Sequence, residues 1–337
     1  MRDSFTHTSG TGGKNLDQRI LELFHAKKGG VVSGEEFSRV LEVSRTAVWK
    51  HIKSLKDLGY QIVAVPSQGY RLVTSPDILI PAEIAAGLTV TRIGRRIICF
   101  RETDSTNEVA FRLAEEGVEE GTVVIAEKQR RGKGRLGRRW ESPAGVNLYC
   151  SVVLRPPILP MQAAQLTFLS TVAVARAVAE TAALRPFIKW PNDVLINGMK
   201  VAGLLNEMSA ETEKVNFVVL GIGVNINMQR TQFPDDLRHP ATSLALEAGK
   251  DVSRLYFTRN LLKTLDELYD SYLARGYAPV REEWLARCDI CGRKVKVSFQ
   301  ESGITGVAVG IDDYGALLLQ LPDGRVEKVL AGDVTIL

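Results

Sequence analysis

The 337-residue chain has no apolar run near the ~20 residues that a membrane span needs. Its first residues, Met1 to Asn15, hold no apolar core of the kind a secretory leader carries. These two absences point to a protein that stays in the cytoplasm and has no membrane partner. Cysteine is scarce, with only Cys99, Cys150, Cys288 and Cys291. Cys288 and Cys291 form a Cys-x-x-Cys, but a structural zinc site wants a second ligand pair at set spacing, and the four histidines are scattered. No metal site is expected, and the thiols read as reduced and structural, with a redox role for Cys288 and Cys291 as the alternative. Acidic residues are missing from a long central stretch, with no Asp or Glu between Glu141 and Glu180. The remaining balance, 45% hydrophobic and 24% charged, suits a globular chain of two or three domains.

Against that background one stretch stands out. Gly132-Lys133-Gly134-Arg135-Leu136-Gly137-Arg138-Arg139-Trp140 sets three glycines and four cations within nine residues. Glycine lets backbone N–H groups approach a ligand closely, and the interleaved cations can converge on a phosphate or carboxylate. The spelling GxGxxG also fits a dinucleotide fingerprint, which needs a strand before it, a helix after it and an acidic residue about 20 positions on. The strand exists, as Thr122 to Ala126. In place of a helix, Trp140 leads into the turn Ser142-Pro143-Ala144-Gly145 and a second strand, Asn147 to Leu154, and the acid-free stretch supplies no ribose partner. The dinucleotide reading fails twice. A solvated basic hairpin loop is the plainer alternative.

Positive charge is concentrated at the start. Residues 1–75 hold 11 Lys/Arg and 7 Asp/Glu, and the rest of the chain carries 32 of each. A small nucleic-acid-binding module attached to a neutral domain shows that asymmetry. Leu16, Ile20, Leu23 and Phe24 fall at helical spacing and stop at Gly29-Gly30. Ser33 caps a second helix, with Glu36 at the capping-box position. A third, Arg45 to Leu58, buries Val48, Ile52, Leu55 and Leu58 and presents Arg45, Thr46, Trp49, Lys50 and Lys53 elsewhere. Two strands about the turn Pro66-Ser67-Gln68-Gly69 complete a winged helix-turn-helix. In such modules the third helix enters the major groove, so Arg45, Thr46, Lys50 and Lys53 are the DNA-contact candidates, with Gln68 at the wing tip. A packing or protein-contact role is the alternative.

Between residue 76 and about residue 286, strands and helices alternate. Ser105, Thr106 and Asn107 sit where a strand ends and the helix Glu108 to Glu116 begins, a place that suits polar ligands as well as a simple N-cap. Lys189-Trp190-Pro191-Asn192-Asp193 leads into a hairpin turning at Asn197-Gly198, whose return strand carries Lys200 and reaches Gly203. A lone lysine on a strand is usually solvated. Val218 to Asn225 is a buried strand broken by Gly221 and Gly223, which suggests a ligand packed on bare backbone. From Arg293 onward, short strands separated by Asp312-Asp313-Tyr314-Gly315 and Pro322-Asp323-Gly324 turns form a small β-barrel.

Ser105-Thr106-Asn107, Gln129 with the Gly132–Trp140 loop, Lys189 to Asp193, Lys200 to Gly203, and Gly221 to Asn225 together resemble the biotin protein ligases in sequence and order. The leading winged helix makes the chain similar to the bifunctional type, and the resemblance covers nearly everything from Leu16. It implies an α+β protein of a winged helix (16–75), a mixed α/β catalytic domain, SH2-like and class II synthetase-like (76–286), and an SH3-like β-barrel (287–337), while the Gly/Thr/Ser-rich composition of residues 8–13 predicts a disordered tail over 1–15. It implies synthesis of biotinyl-5′-AMP from biotin and ATP with Mg²⁺, and transfer of biotin to a lysine of a carboxyl carrier domain. It further implies binding to operator DNA of biotin genes as a homodimer when the adenylate is bound.

Carried over by matching motifs, the biotin site is Ser105, Thr106, Asn107, Gln129, Gly132, Lys133, Gly134, Arg135, Lys200, Gly203, Gly221 and Gly223. The ATP site is Lys133, Arg135, Trp140, Asn192, Lys200 and Asn225. Lys200, Arg135 and Lys133 take electrostatic roles, because carboxylate attack on an α-phosphate builds anionic charge. Asp193 is the candidate base or metal-network residue. The family loop reads Gly-Arg-Gly-Arg, and Lys133 here keeps the charge but loses the bidentate fork, which puts tight adenylate retention in question. Phe233 is the candidate adenine cover. A ligand-sensing regulator without ligase activity and a lipoate or octanoate ligase are the rival readings.

Overall fold

Residues 16–237, 239–299 and 302–337 are described by the computed structural model of the chain. The tail expected at residues 1–15 lies outside them. The chain divides into two units, with the boundary in sequence between Leu88 and Thr89.

In the first unit, helices α1 (Leu16–Ala26), α2 (Gly34–Leu41) and α3 (Arg45–Asp57) precede a hairpin of β1 (Gln61–Val65) and β2 (Gly69–Thr74). Ser33 and Ser44 cap α2 and α3, accepting from Glu36 N at 3.0 Å and Ala47 N at 3.2 Å. Ile20, Phe24, Phe37, Val48, Ile52 and Leu55 close one core, with Leu58 only partly buried at its margin. Phe24 and Phe37 meet edge to face at 5.2 Å. Val32 exchanges both backbone hydrogen bonds with Tyr70, tying the start of α2 to the wing. A Cβ at Gly69 would overlap the backbone at Val32 and Ser33, and its φ is +131°, so only glycine fits there. Helix α4 (Pro81–Ala85) packs on α1 within this unit. Its Glu83, 1% exposed, accepts from His25 Nε2 and Ser75 Oγ, each at 3.1 Å.

The second unit is built on a seven-stranded sheet. Its strands are β3 (Ile97–Phe100), β4 (Val123–Ala126), β5 (Leu148–Leu154), β6 (Phe187–Lys189), β7 (Asp193–Ile196), β8 (Met199–Ala210) and β9 (Val215–Val224), in the order β3-β4-β5-β9-β8-β7-β6. Only β3 and β4 pair in parallel. Helix α5 (Thr106–Glu115) packs on β4, β5 and β9, and α6 (Ala164–Ala182) packs on β6 to β9. Strands β4 and β5 are buried along their whole length, so they read as continuous apolar runs rather than alternating ones. Helices α7 (Leu244–Ala248), α8 (Arg254–Arg275) and α9 (Ala278–Ala286) complete its helical layer. Asp266 of α8, 4% exposed, accepts from the backbone N–H groups of Thr91, Arg92 and Ile93, fastening the segment that enters β3.

The last strands, β10 (Lys294–Phe299), β11 (Ser302–Ile311), β12 (Leu317–Gln320), β13 (Val326–Val329) and β14 (Asp333–Ile336), form an antiparallel sheet ordered β13-β12-β11-β10-β14. Strand β14 was not legible in the sequence, and no ladder joins β13 to β14 among the described residues. The expectation of four reduced thiols is corrected. The turn after α9 brings the Cα atoms of Cys288 and Cys291 to 5.7 Å and pairs the two as a disulfide, so these are not separate thiols; Cys99 and Cys150 stay free.

Arg254 at the start of α8 is 3% exposed and meets Glu127 Oε2 at 2.6 Å. Removing one partner of a largely buried pair leaves the other charge less compensated in a poorly solvated place. Glu127→Ala is therefore expected to cost about 3 kcal/mol, read from urea unfolding of the full chain.

Candidate active site

The cleft of the second unit, about 940 Å³ with the solvent in its mouth, opens over β8 and β9. Its deep wall is a polar chain. Helix α5 begins two residues earlier than the sequence suggested, so Ser105 is the N-cap and Thr106 and Asn107 lie in the first turn, all three buried. Gln129 Oε1 accepts from Thr106 N at 2.9 Å, and its Nε2 donates to Ser142 Oγ at 3.0 Å. Asn107 Nδ2 donates to Leu205 O at 3.1 Å and Glu207 Oε2 at 2.8 Å. Ser151 Oγ lies within reach of Thr106 Oγ1 at 2.8 Å and Asn107 Oδ1 at 2.6 Å. Thr106, Asn107, Gln129 and Ser151 are each hydrogen-bonded, which fixes the amides for recognition of a polar ring.

Three glycines make this geometry possible. Gly203 and Gly223 are cross-strand neighbours in β8 and β9, and Leu205 pairs with Gly221. A Cβ on Gly221 would fall 2.8 Å from Asn107 Cγ; one on Gly203 would fall 2.8 Å from Trp140 Cζ3, and one on Gly223 2.6 Å from Trp140 Cε2. The Trp140 indole thus lies on bare backbone, and its buried Nε1 has no hydrogen-bond partner. An orphaned buried donor beside bare strand backbone suits a ligand that brings an acceptor.

The other end of the cleft is cationic. The Asn197-Gly198 turn, with φ of +50° and +76°, returns the chain so that Lys200 Nζ reaches Asp193 Oδ1 at 2.6 Å and stands 5.4 Å from the Trp140 ring centre. Arg135 Nη1 donates to Asn192 Oδ1 at 3.1 Å, and Asn192 Nδ2 donates to Leu204 O at 2.5 Å. Burial pushes the Arg135 guanidinium below its ordinary value, with Asp193 and Asp333 pulling the other way. Burial likewise lowers the Lys189 ammonium, against the attraction of Asp193. An anion entering here would meet cations already stripped of part of their water.

The glycine-rich loop is a closed hairpin. Trp140 N donates to Gly132 O at 2.8 Å and Gly134 N to Arg138 O at 2.7 Å. Arg138 forms an ion pair with Asp333 of β14, so the C-terminal sheet holds one side of the loop. Lys133 Nζ, half-exposed, lies 3.1 Å from Glu108 Oε1 and 3.9 Å from Glu207 Oε1.

The same three-part organisation recurs in known proteins. Family models match residues 17–71 as an HTH domain, 99–225 as the biotin/lipoate A/B protein ligase family and 290–337 as the biotin protein ligase C terminal domain. The bifunctional ligase/repressor BirA of Bacillus subtilis (strain 168) is 38% identical over 321 residues, covering 95% of this chain and 98% of its own. The chain belongs to the bifunctional biotin protein ligase family. A biotin--[acetyl-CoA-carboxylase] ligase of Paracoccus denitrificans is 39% identical over 226 residues, 66% of this chain and 93% of its own. The biotin protein ligase from Aquifex aeolicus, solved in complex with biotin and ATP, superposes with a TM-score of 0.62 at 31% identity, covering 72% of this chain and 98% of that one.

The ligase fold brings most of the sequence candidates into one cleft: Ser105, Thr106, Asn107, Gln129, Lys133, Gly134, Arg135, Trp140, Asn192, Asp193, Lys200, Gly203, Gly221 and Gly223 all line it. Two stand outside. Gly132 sits behind the loop, where a Cβ would fall 2.7 Å from Ser142 Oγ, so its glycine serves backbone packing. Asn225, expected at ATP, lies past the end of β9 and donates to Thr242 O at 3.1 Å, holding the segment before α7. From the segment 229–240, His239 lines the cleft and Phe233 does not; Arg238 is outside the described residues. Sequence reasoning missed Ser142, Ser151, Glu207 and Asp333, whose roles come from neighbours far along the chain. Lys189 stood in its motif without a role, although a lysine ending a short strand before Trp-Pro was a usable signal.

In the ligase family's winged-helix unit, Arg45, Thr46, Lys50 and Lys53 of α3 are exposed, as is Gln68 in the wing turn. Trp49, 53% exposed, stands among them with Lys53 Nζ 5.9 Å from its ring centre.

No helix among the described residues is long and apolar enough to cross a membrane.

Proposed function

We propose that this chain joins biotin to ATP as biotinyl-5′-AMP, passes the biotinyl group to a lysine of a biotin carboxyl carrier domain, and represses biotin genes by binding their operator as an adenylate-loaded homodimer. One observation carries the catalytic half: a buried amide wall at one end of the cleft and a partly desolvated cation cluster at the other are joined by bare backbone at Gly203, Gly221 and Gly223. The amide wall fits the ureido ring of biotin, with Thr106, Asn107 and Gln129 held in place by Ser142 and Ser151. Lys200 then stands where the carboxylate and α-phosphate meet, and stabilises the negative charge that builds as they join. Arg135, backed by Asn192, adds a second cation.

The acceptor lysine amine must shed a proton before it attacks the acyl carbon, and Asp193 is the carboxylate at hand. Among the described residues no cluster of three His, Cys, Asp or Glu could cage a metal. Mg²⁺ accordingly fits this cleft as an ion carried on the nucleotide phosphates, which it helps to neutralise. The Lys133–Glu108 pair replaces a bidentate arginine with a point charge already facing carboxylates, which favours weaker retention of the adenylate.

Biotin-dependent release of pyrophosphate from ATP and Mg²⁺, with lipoate and octanoate in parallel, tests this reading. Release with biotin alone is expected. Release with lipoate or octanoate instead would move the chain to the lipoate branch of its family, and silence with every acid would leave a ligand-sensing regulator.

For the DNA half, Lys50 and Lys53 are assigned to phosphates and Trp49 to the apolar edge of a thymine methyl. Lys50→Ala is expected to weaken operator binding and to reduce the slope of log affinity against log salt by about 1. Fluorescence anisotropy on operator and scrambled duplexes across salt reads this. Affinity without salt or sequence dependence would remove the DNA assignment.

A further inference from the structure

The Cys288–Cys291 pair lies outside the cleft, in the turn that joins α9 to β10, with both cysteines half-buried. The other two thiols are poor redox centres: burial pushes Cys150 up to about 12 and Cys99 well above its ordinary value. At the pair, Cys291 N–H donates to Cys288 Sγ at 3.2 Å.

The surrounding hydrogen bonds give the pair its reach. Ile188 N donates to Arg287 O at 2.8 Å and Asp289 N to Ile188 O at 2.9 Å, so the turn extends the seven-stranded sheet beyond β6. On its other side, Gly292 N donates to Ala308 O at 2.7 Å and Ala308 N to Arg293 O at 3.0 Å, which ties it to β11. The covalent ring therefore sits at the seam of two sheets that both contribute to the cleft. Strand β6 ends in Lys189, and the C-terminal sheet carries Asp333, which holds Arg138 of the glycine-rich loop.

We propose that Cys288 and Cys291 form a reversible dithiol–disulfide site whose closure stiffens this seam and tightens the hold of the cleft on its nucleotide. The co-reactant is a small-molecule disulfide. The Cys288 thiolate attacks one of its sulfurs, making a mixed disulfide and expelling a thiolate; the Cys291 thiolate then attacks the Cys288 sulfur and expels the second. The two cysteines lose two electrons and two protons, and the small disulfide gains them as two thiols. The effect on nucleotide rests on the ligase reading; the thiol chemistry does not.

The full chain is poised in mixtures of reduced and oxidised dithiothreitol, trapped with iodoacetamide and mapped by peptide mass. Cys288 and Cys291 are expected to pass reversibly between doubly alkylated and disulfide-linked. In the reduced form, amide hydrogen exchange at Ile188 and Asp289 is expected to be about tenfold faster, and the KM for ATP about fivefold higher with little change in kcat. Cys288→Ser and Cys291→Ser should each behave as the reduced protein in every mixture. Alkylation of both cysteines under the most oxidising mixture, or equal exchange at Ile188 and Asp289 in both forms, would overturn the switch. Exchange that responds while the KM does not would overturn its coupling to the cleft. An absence of pyrophosphate release in both forms would sink the ligase reading alone, since mass and exchange judge the switch independently.

Discussion

Lys200→Ala is expected to lower biotin-dependent pyrophosphate release by about two to three orders of magnitude, the loss expected when one positioned donor is taken from a developing anion. Lys200 Nζ sits 2.6 Å from Asp193 and against the Trp140 ring, in a cleft with partly desolvated Arg135 and Lys189. Its charge therefore acts at low effective dielectric, where one cation matters more than it would in water. The side chain is only partly buried and its backbone bonds to Pro240 O and from Thr242 N survive truncation, so the fold should persist. A single-turnover assay with circular dichroism on the same sample checks both points. Unchanged activity would take Lys200 out of the site. Lys200→Arg, which keeps the charge but replaces a compact ammonium with a broad planar fork, should recover only part of the rate.

Gly221→Ala should weaken biotin binding by about a hundredfold, because the added Cβ would overlap the Asn107 amide, lying 2.8 Å from its Cγ and Nδ2. That amide cannot simply swing away. It donates to Leu205 O and Glu207 Oε2 and meets Ser151 Oγ, so moving it leaves buried polar groups without partners. Isothermal titration with biotin reads the loss. Asn107→Ala removes the clash, and the double variant should bind no worse than Asn107→Ala alone, since both changes act through one amide. Full affinity in Gly221→Ala would mean that Asn107 takes no part in holding the ligand.

The extent to which the sequence foretold this site differs by residue. Gly203 and Gly221 were visible because glycines interrupt otherwise apolar strands, which costs stability unless a ligand or close contact uses them, and Lys133 and Arg135 because cations alternate with glycines in one loop. Lys200 was visible only through the order of motifs around it, since a lysine on a strand looks like any solvated lysine. Asn225 looked like its neighbours and proved to be a structural amide beyond the strand end. The Arg138–Asp333 pair joins residues 195 apart, and no local pattern encodes such a contact.

Local interactions decide what one turn or one strand can do, and these the sequence determined by itself: the Ser33 cap, the helical spacing of Ile20 and Phe24, the strands β4 and β5, the Asn197-Gly198 hairpin, and the basic face of α3. Tertiary structure alone decided which of those pieces meet. Register between β8 and β9 sets Gly203 beside Gly223 and Leu205 beside Gly221, so that one indole and one amide find bare backbone beneath them. Bonds to Ile188 on one side and Ala308 on the other set the turn of Cys288 and Cys291 at the seam of two sheets. Each of these contacts depends on the packing of elements distant in sequence, and such packing is a property of the whole fold's hydrophobic burial rather than of any window of residues.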